Sequence, residues 1–131
     1  MQNNIVALLL AVFLVLLAGC GAKPVFSKVI DDSMAGKAPP VAKIVGDEHG
    51  VVSIKNDAAS NIEIRVQKIR SACSTERARS LGSDFDGYIL FEVYKDGSLV
   101  AKAQMDFKTE PTKKDFETVW SELARTLGWG A

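Results

Sequence analysis

The stretch GYILFEVYKDGSLVAKAQMDFK, from Gly87 to Lys108, decides the fold. Two runs rich in β-branched and aromatic residues meet at Asp96-Gly97, a dipeptide suited to the two positive φ angles of a type I′ turn, so the segment is a hairpin. A two-residue loop sets Tyr94 opposite Leu99, Leu90 opposite Ala103 and Tyr88 opposite Met105. A bulge would move that pairing by one residue.

Downstream, Thr112 to Leu127 reads as an amphipathic helix. Pro111 marks its start, and Thr112 with Asp115 three residues on is a capping box with Asp in place of Glu. Phe116, Val119, Trp120, Leu123 and Leu127 form one apolar stripe, and Gly128 supplies a left-handed cap after which Trp129 folds back onto Leu123 and Ala124. The small pair Ala101 and Ala103 offers a trough for Phe116 and Trp120, so the helix is expected on the face of Leu99, Ala101, Ala103 and Met105. In that register Ile89, Phe91, Val93 and Val100 stand on the opposite face beside Lys102 and Gln104. They become a candidate partner surface unless the linker or another hairpin packs there.

Upstream, Ile62, Ile64 and Val66 alternate with Glu63, Arg65 and Gln67, the pattern of a strand with one buried face. Val41 to Val45 and Val51 to Lys55 are β-rich runs separated by a loop with glycine at both ends, Gly46 to Gly50, which predicts a second hairpin. The whole is a small two-layer α+β domain over residues 41–131: a mainly antiparallel sheet of about five strands with one C-terminal helix on one face. Residues 20–40, with Lys23-Pro24, Gly36 and Ala38-Pro39-Pro40, read as an extended tether. Within it Val25, Phe26, Val29 and Ile30 are apolar enough to dock as a short strand or turn.

Ile5 to Ala18 is an unbroken apolar run, shorter than the ~20 residues of a spanning helix and of the length of a signal-peptide core. It ends in Leu17-Ala18-Gly19-Cys20, which resembles the lipobox of bacterial lipoproteins: an apolar residue, two small ones and the cysteine that carries the lipid. The resemblance covers about the first twenty residues. It implies a signal peptide over 1–19, lipidation of Cys20 and attachment to a membrane outside the cytoplasm. With Gly21 rather than Asp after the cysteine, it implies the periplasmic face of the outer membrane.

Sixteen basic and sixteen acidic residues cancel, so no whole-molecule field recruits nucleic acid. Once Cys20 is lipidated, Cys73 has no intrachain disulfide partner. It lies in a cationic, hydroxyl-rich stretch in which Lys68, Arg70, Arg77 and Arg79 are candidate anion-binding residues. The plainer reading of that stretch is a solvated loop. His49, the single histidine, falls in a turn, where Asp47 and Glu48 make a poor zinc set and a nucleophilic pair with Cys73 lacks an orienting third group. Gly82 to Gly87 has the middle of a calcium loop without its first acid or its closing glutamate, and reads as a turn into the hairpin. No catalytic set, metal or cofactor is expected. The expected function is that of a non-enzymatic accessory or assembly factor, anchored to the membrane and binding another envelope protein. A module that captures an anionic envelope ligand through residues 68–79 is the alternative.

Overall fold

The computed structural model describes residues 24–70 and 86–130. Its centre is the hairpin of β5 (Gly87–Lys95) and β6 (Ser98–Phe107). Asp96 and Gly97 adopt φ of 50° and 80°, as a type I′ turn requires, and Lys95 pairs with Ser98 and Tyr94 with Leu99. One residue further the ladder breaks. Val93 pairs with Ala101, leaving Val100 as a bulge, and from there Phe91 opposes Ala103 and Ile89 opposes Met105.

The extra residue reverses the parity of β6. Ala101, Ala103, Met105 and Phe107 now share a face with Ile89, Phe91 and Val93, and all seven are buried. The expected partner surface is therefore core. Ile89, Phe91 and Val93 are fully buried and Val100 is 2% exposed, because a straight ladder would have set Phe91 against Lys102 and the bulge sets it against alanine. Leu99, expected under the helix, lies before the bulge and turns to the other face.

The helix α1 (Lys113–Leu127) covers that apolar face. Asp115 accepts from the Thr112 backbone N–H at 2.8 Å, and Gly128 closes the last turn at φ 70°. Phe116 and Trp120 reach Phe91, with ring centroids 6.4 and 6.2 Å apart. Trp129 folds back as expected, although its ring meets Trp120 at 6.1 Å, edge to face.

Four more strands, β1 (Phe26–Val29), β2 (Val41–Val45), β3 (Lys55–Asn56) and β4 (Ile62–Arg70), complete a mixed six-stranded sheet in the order β1-β6-β5-β4-β2-β3. β4 (Ile62–Arg70) pairs antiparallel with β5 along its full length and buries Ile62, Ile64 and Val66. Gly87 permits this, since a Cβ there would stand 2.2 Å from the Ile69 carbonyl oxygen. β2 (Val41–Val45) pairs parallel to β4, and the two-residue β3 (Lys55–Asn56) pairs parallel to β2. The hairpin expected over 41–55 is thus replaced by a parallel return. The Asp47 carboxylate accepts from the backbone N–H groups of Val51 and Val52, both at 3.0 Å, and so takes donors that an antiparallel ladder would have used. Val52 drops into the core, with Val51 and Ile54 packed against its edge.

Within the segment expected as a tether, the apolar residues from Val25 to Ile30 dock on the domain as a short strand, as their composition allowed. β1 (Phe26–Val29) adds an antiparallel edge strand to β6, and the Val100 carbonyl accepts from Ile30 at 2.8 Å and Asp31 at 3.1 Å. A short 3-10 turn, Asp32–Met34, then buries Met34. The arm is fastened to the end of α1. Gly36 N–H donates to the Leu127 carbonyl, Trp129 Nε1 donates to the Met34 carbonyl, each at 2.7 Å, and the Ser27 and Thr126 hydroxyls share a hydrogen bond of 2.8 Å.

Candidate functional site

Alternation along every strand sends half of the side chains to the face away from α1. Pairing aligns them in rows that cross the sheet: Lys43, Glu63, Tyr94 and Leu99; then Val45, Arg65, Glu92, Lys102 and Lys28; then Gln67, Leu90, Gln104 and Phe26; then Ile69, Tyr88 and Asp106. No described element lies over this face.

Its middle is a connected polar network. The Arg65 guanidinium bridges to the Glu63 carboxylate at 3.2 Å and lies 4.4 Å from the centre of the Tyr94 ring. Tyr94 donates its hydroxyl to Glu92 at 3.0 Å, and Gln67 donates to the other Glu92 oxygen at 3.1 Å. The hydrogen bond from Arg65 holds the Glu63 carboxyl below the ordinary carboxylate range. Burial, reinforced by the Glu92 carboxylate, raises the pKa of the Tyr94 phenol. The network presents a fixed pattern of charge, flanked by Ile69, Tyr88 and Leu90 toward one end of the strands and by Leu99 toward the other. Such a surface is suited to recognition: aromatic and aliphatic groups around polar groups already held in place.

The residues singled out from sequence are distributed differently. Lys68 and Arg70 lie at the end of β4, and both direct their cationic ends to the Glu110 carboxylate from the β6–α1 connection. That double pairing, Lys68 first, holds Glu110 below its ordinary range and turns two of the four candidate anion ligands inward on an acid of the same chain. Arg77 and Arg79, Cys73 and most of the incomplete calcium loop lie outside the described residues, as does Cys20. Gly87 at the end of that loop opens β5. His49 is exposed and its ring lies 4.6 Å from that of Phe116, while Asp47 is engaged by the backbone.

Among the described residues no group of three or more His, Cys, Asp and Glu side chains is placed to hold a metal ion, and no helix is long and apolar enough to cross a membrane. The open face was missed in the sequence because its identity depends on the bulge at Val100. One signal pointed to it. The alternating apolar runs Ile89-Phe91-Val93 in β5 and Ala101-Ala103-Met105-Phe107 in β6 are both odd-numbered, and a two-residue turn at 96–97 pairs odd with even, so only an extra residue brings the two runs to one face. Comparison with protein families, curated proteins and solved structures finds no match, so the reading of this site rests on its own chemistry.

Proposed function

We propose that the chain is a membrane-anchored envelope lipoprotein, a non-enzymatic accessory or assembly factor that binds another envelope protein through the open face of its sheet. The observation that carries this reading is the asymmetry of the sheet: one face is filled by α1, and the other presents a pre-ordered Glu63-Arg65-Tyr94-Glu92-Gln67 network beside Ile69, Tyr88 and Leu90. The lipobox resemblance ending at Cys20 supplies the anchor and its place, the periplasmic face of the outer membrane. Tethering raises the effective concentration of a partner confined to the same surface, so that a modest interface suffices.

Two measurements on protein taken from native membranes test it. Mass spectrometry of the N-terminus is expected to find Cys20 as the first residue, carrying diacylglycerol; an unmodified chain overturns the anchor. Photo-crosslinkers at Leu90 and Tyr94 are expected to capture the same protein, whereas one at Glu117 on the exposed side of α1 captures none. The variant Leu90→Glu, folded by circular dichroism, is expected to lose the product formed from position 94. Equal capture from all three positions overturns the assignment of the face.

A further inference from the structure

We infer that the β1 edge of the sheet rests on the lipid headgroup layer, with Phe26 at the bilayer interface and Lys28 and Lys102 directed at lipid phosphates. The inference rests on the reading of Cys20 as the lipidated residue.

Three observations carry it. The first is length: the docked arm leaves only six residue steps between Cys20 and Phe26, a reach of about 20 Å at full extension. Five strand spacings of ~4.8 Å make the sheet itself about 24 Å across. The leash is thus no longer than the body it holds, and the surface around the start of β1 is the part brought to the bilayer.

The second is Phe26 itself. It is 64% exposed, the most exposed of the large apolar side chains among the described residues, and it stands at the end of β1 nearest the anchor. An aromatic ring there fits the interfacial zone, where one side meets acyl chain and the other meets water.

The third is charge. Lys28 and Lys102 are both exposed and sit directly opposite each other across the β1–β6 ladder, an arrangement of like charges that works against pairing unless an anion lies between or above them. With Phe26 and Gln104 they line a shallow depression on the open side of the sheet margin. Two acids stand near. Glu92 faces Lys102 from β5 but accepts from Gln67 and Tyr94, and Asp106 at the end of the depression accepts from Gln104 at 3.1 Å. Long lysine side chains can place their stems along the ring while their ammonium groups meet phosphate. Seated on this margin, the sheet leans its open face toward the membrane at the β1 edge. The network of Glu63, Arg65 and Tyr94 lies two to three strands further in and stays open to a protein neighbour.

The test uses the full lipidated chain, purified from membranes and reconstituted at low density in vesicles of phosphatidylethanolamine and phosphatidylglycerol. In a Cys73→Ser background, Phe26→Cys and Ser98→Cys each offer one thiol for a nitroxide label, since the Cys20 sulfur is acylated. Mass spectrometry of the same sample first establishes acylation; an unmodified Cys20 ends the anchor reading and this one with it. With acylation present, the label at 26 is expected to be more accessible to oxygen than to a water-soluble nickel complex, and the label at 98 the reverse. A label at 26 as open to the nickel complex as that at 98 overturns the docking while leaving the anchor intact. Lys28→Gln and Lys102→Gln are each expected to lower the docked population about fivefold, and phosphatidylcholine vesicles to lower it likewise. Docking indifferent to all three overturns the role of the lysines. Protection at 26 that grows with protein density would assign the edge to a second copy of the chain and overturn the lipid contact.

Discussion

Leu90 and Phe91 are neighbours in the chain and look alike to any scale of hydrophobicity, yet they stand on opposite faces of β5. Phe91 is fully buried among Ala103, Phe116 and Trp120, whereas Leu90 is partly exposed among Gln67, Gln104 and Tyr88. The contrast separates two uses of apolar surface. Behind the helix, close packing makes every methylene felt; on the open face, apolar groups alternate with polar groups that are held in position, and little of the fold depends on them.

The largest test of this contrast is removal of the arm. A chain lacking residues 21–40 would keep its stability if those residues were only a tether. With β1 paired to β6 and Met34 buried beneath Trp129, the truncated protein is expected to lose its cooperative unfolding transition, as read by tryptophan fluorescence in urea. Next in size, Phe91→Ala is expected to cost about 3–5 kcal/mol, and Leu90→Ala about 1 kcal/mol or less. Equal costs, measured by denaturant midpoints, would erase the distinction between the faces. Asp115→Ala removes the acceptor for the Thr112 backbone N–H at the start of the helix and is expected to cost about 1 kcal/mol.

The smallest effect is electrostatic and lies at the rim of the helix side, where Lys68 and Arg70 follow Val66 along β4. Because Lys68 and Arg70 lower the Glu110 pKa in the folded state, its ion pairs contribute in full above the ordinary carboxylate pKa. That contribution fades as pH falls through the lowered value. The stability difference between the native chain and Glu110→Gln is therefore expected to be small at neutral pH and to vanish on acidification. All three side chains are largely solvated, and salt should diminish the difference as well.

Much of this is legible in the residues alone, and for definite reasons. The helix announced both ends, through Thr112-Asp115 and Gly128, because capping needs particular side chains at particular places. The Asp96-Gly97 turn was legible for the same reason: few residue pairs accept two positive φ angles. Ile62, Ile64 and Val66 showed their buried face by simple alternation. What escaped was set by partners distant in sequence. Four residues, Phe26 to Val29, carry too little pattern to distinguish an edge strand from a tether, and their docking depends on the carbonyl of Val100 and the end of α1. The Val51 to Lys55 run had β composition, but its N–H groups had a nearer acceptor in Asp47. The open face followed from the bulge, which one odd-and-odd coincidence revealed and which propensity alone does not.

The clasp between the arm and the helix bears on how such a chain comes into being. Met34 and Trp129 meet across 95 positions, and Ser27 and Thr126 across 99, so the first part of the domain to leave a ribosome waits for the last. Until α1 has emerged, the alanine trough of β6 has no cover and the arm has only the β6 edge to pair with. Fragments that end before α1 can pair β4, β5 and β6, but they leave the apolar face of that sheet open and the arm unclasped, and contacts that close loops of this span are slow to form. Such a chain seals its core only when its last residues are free to fold.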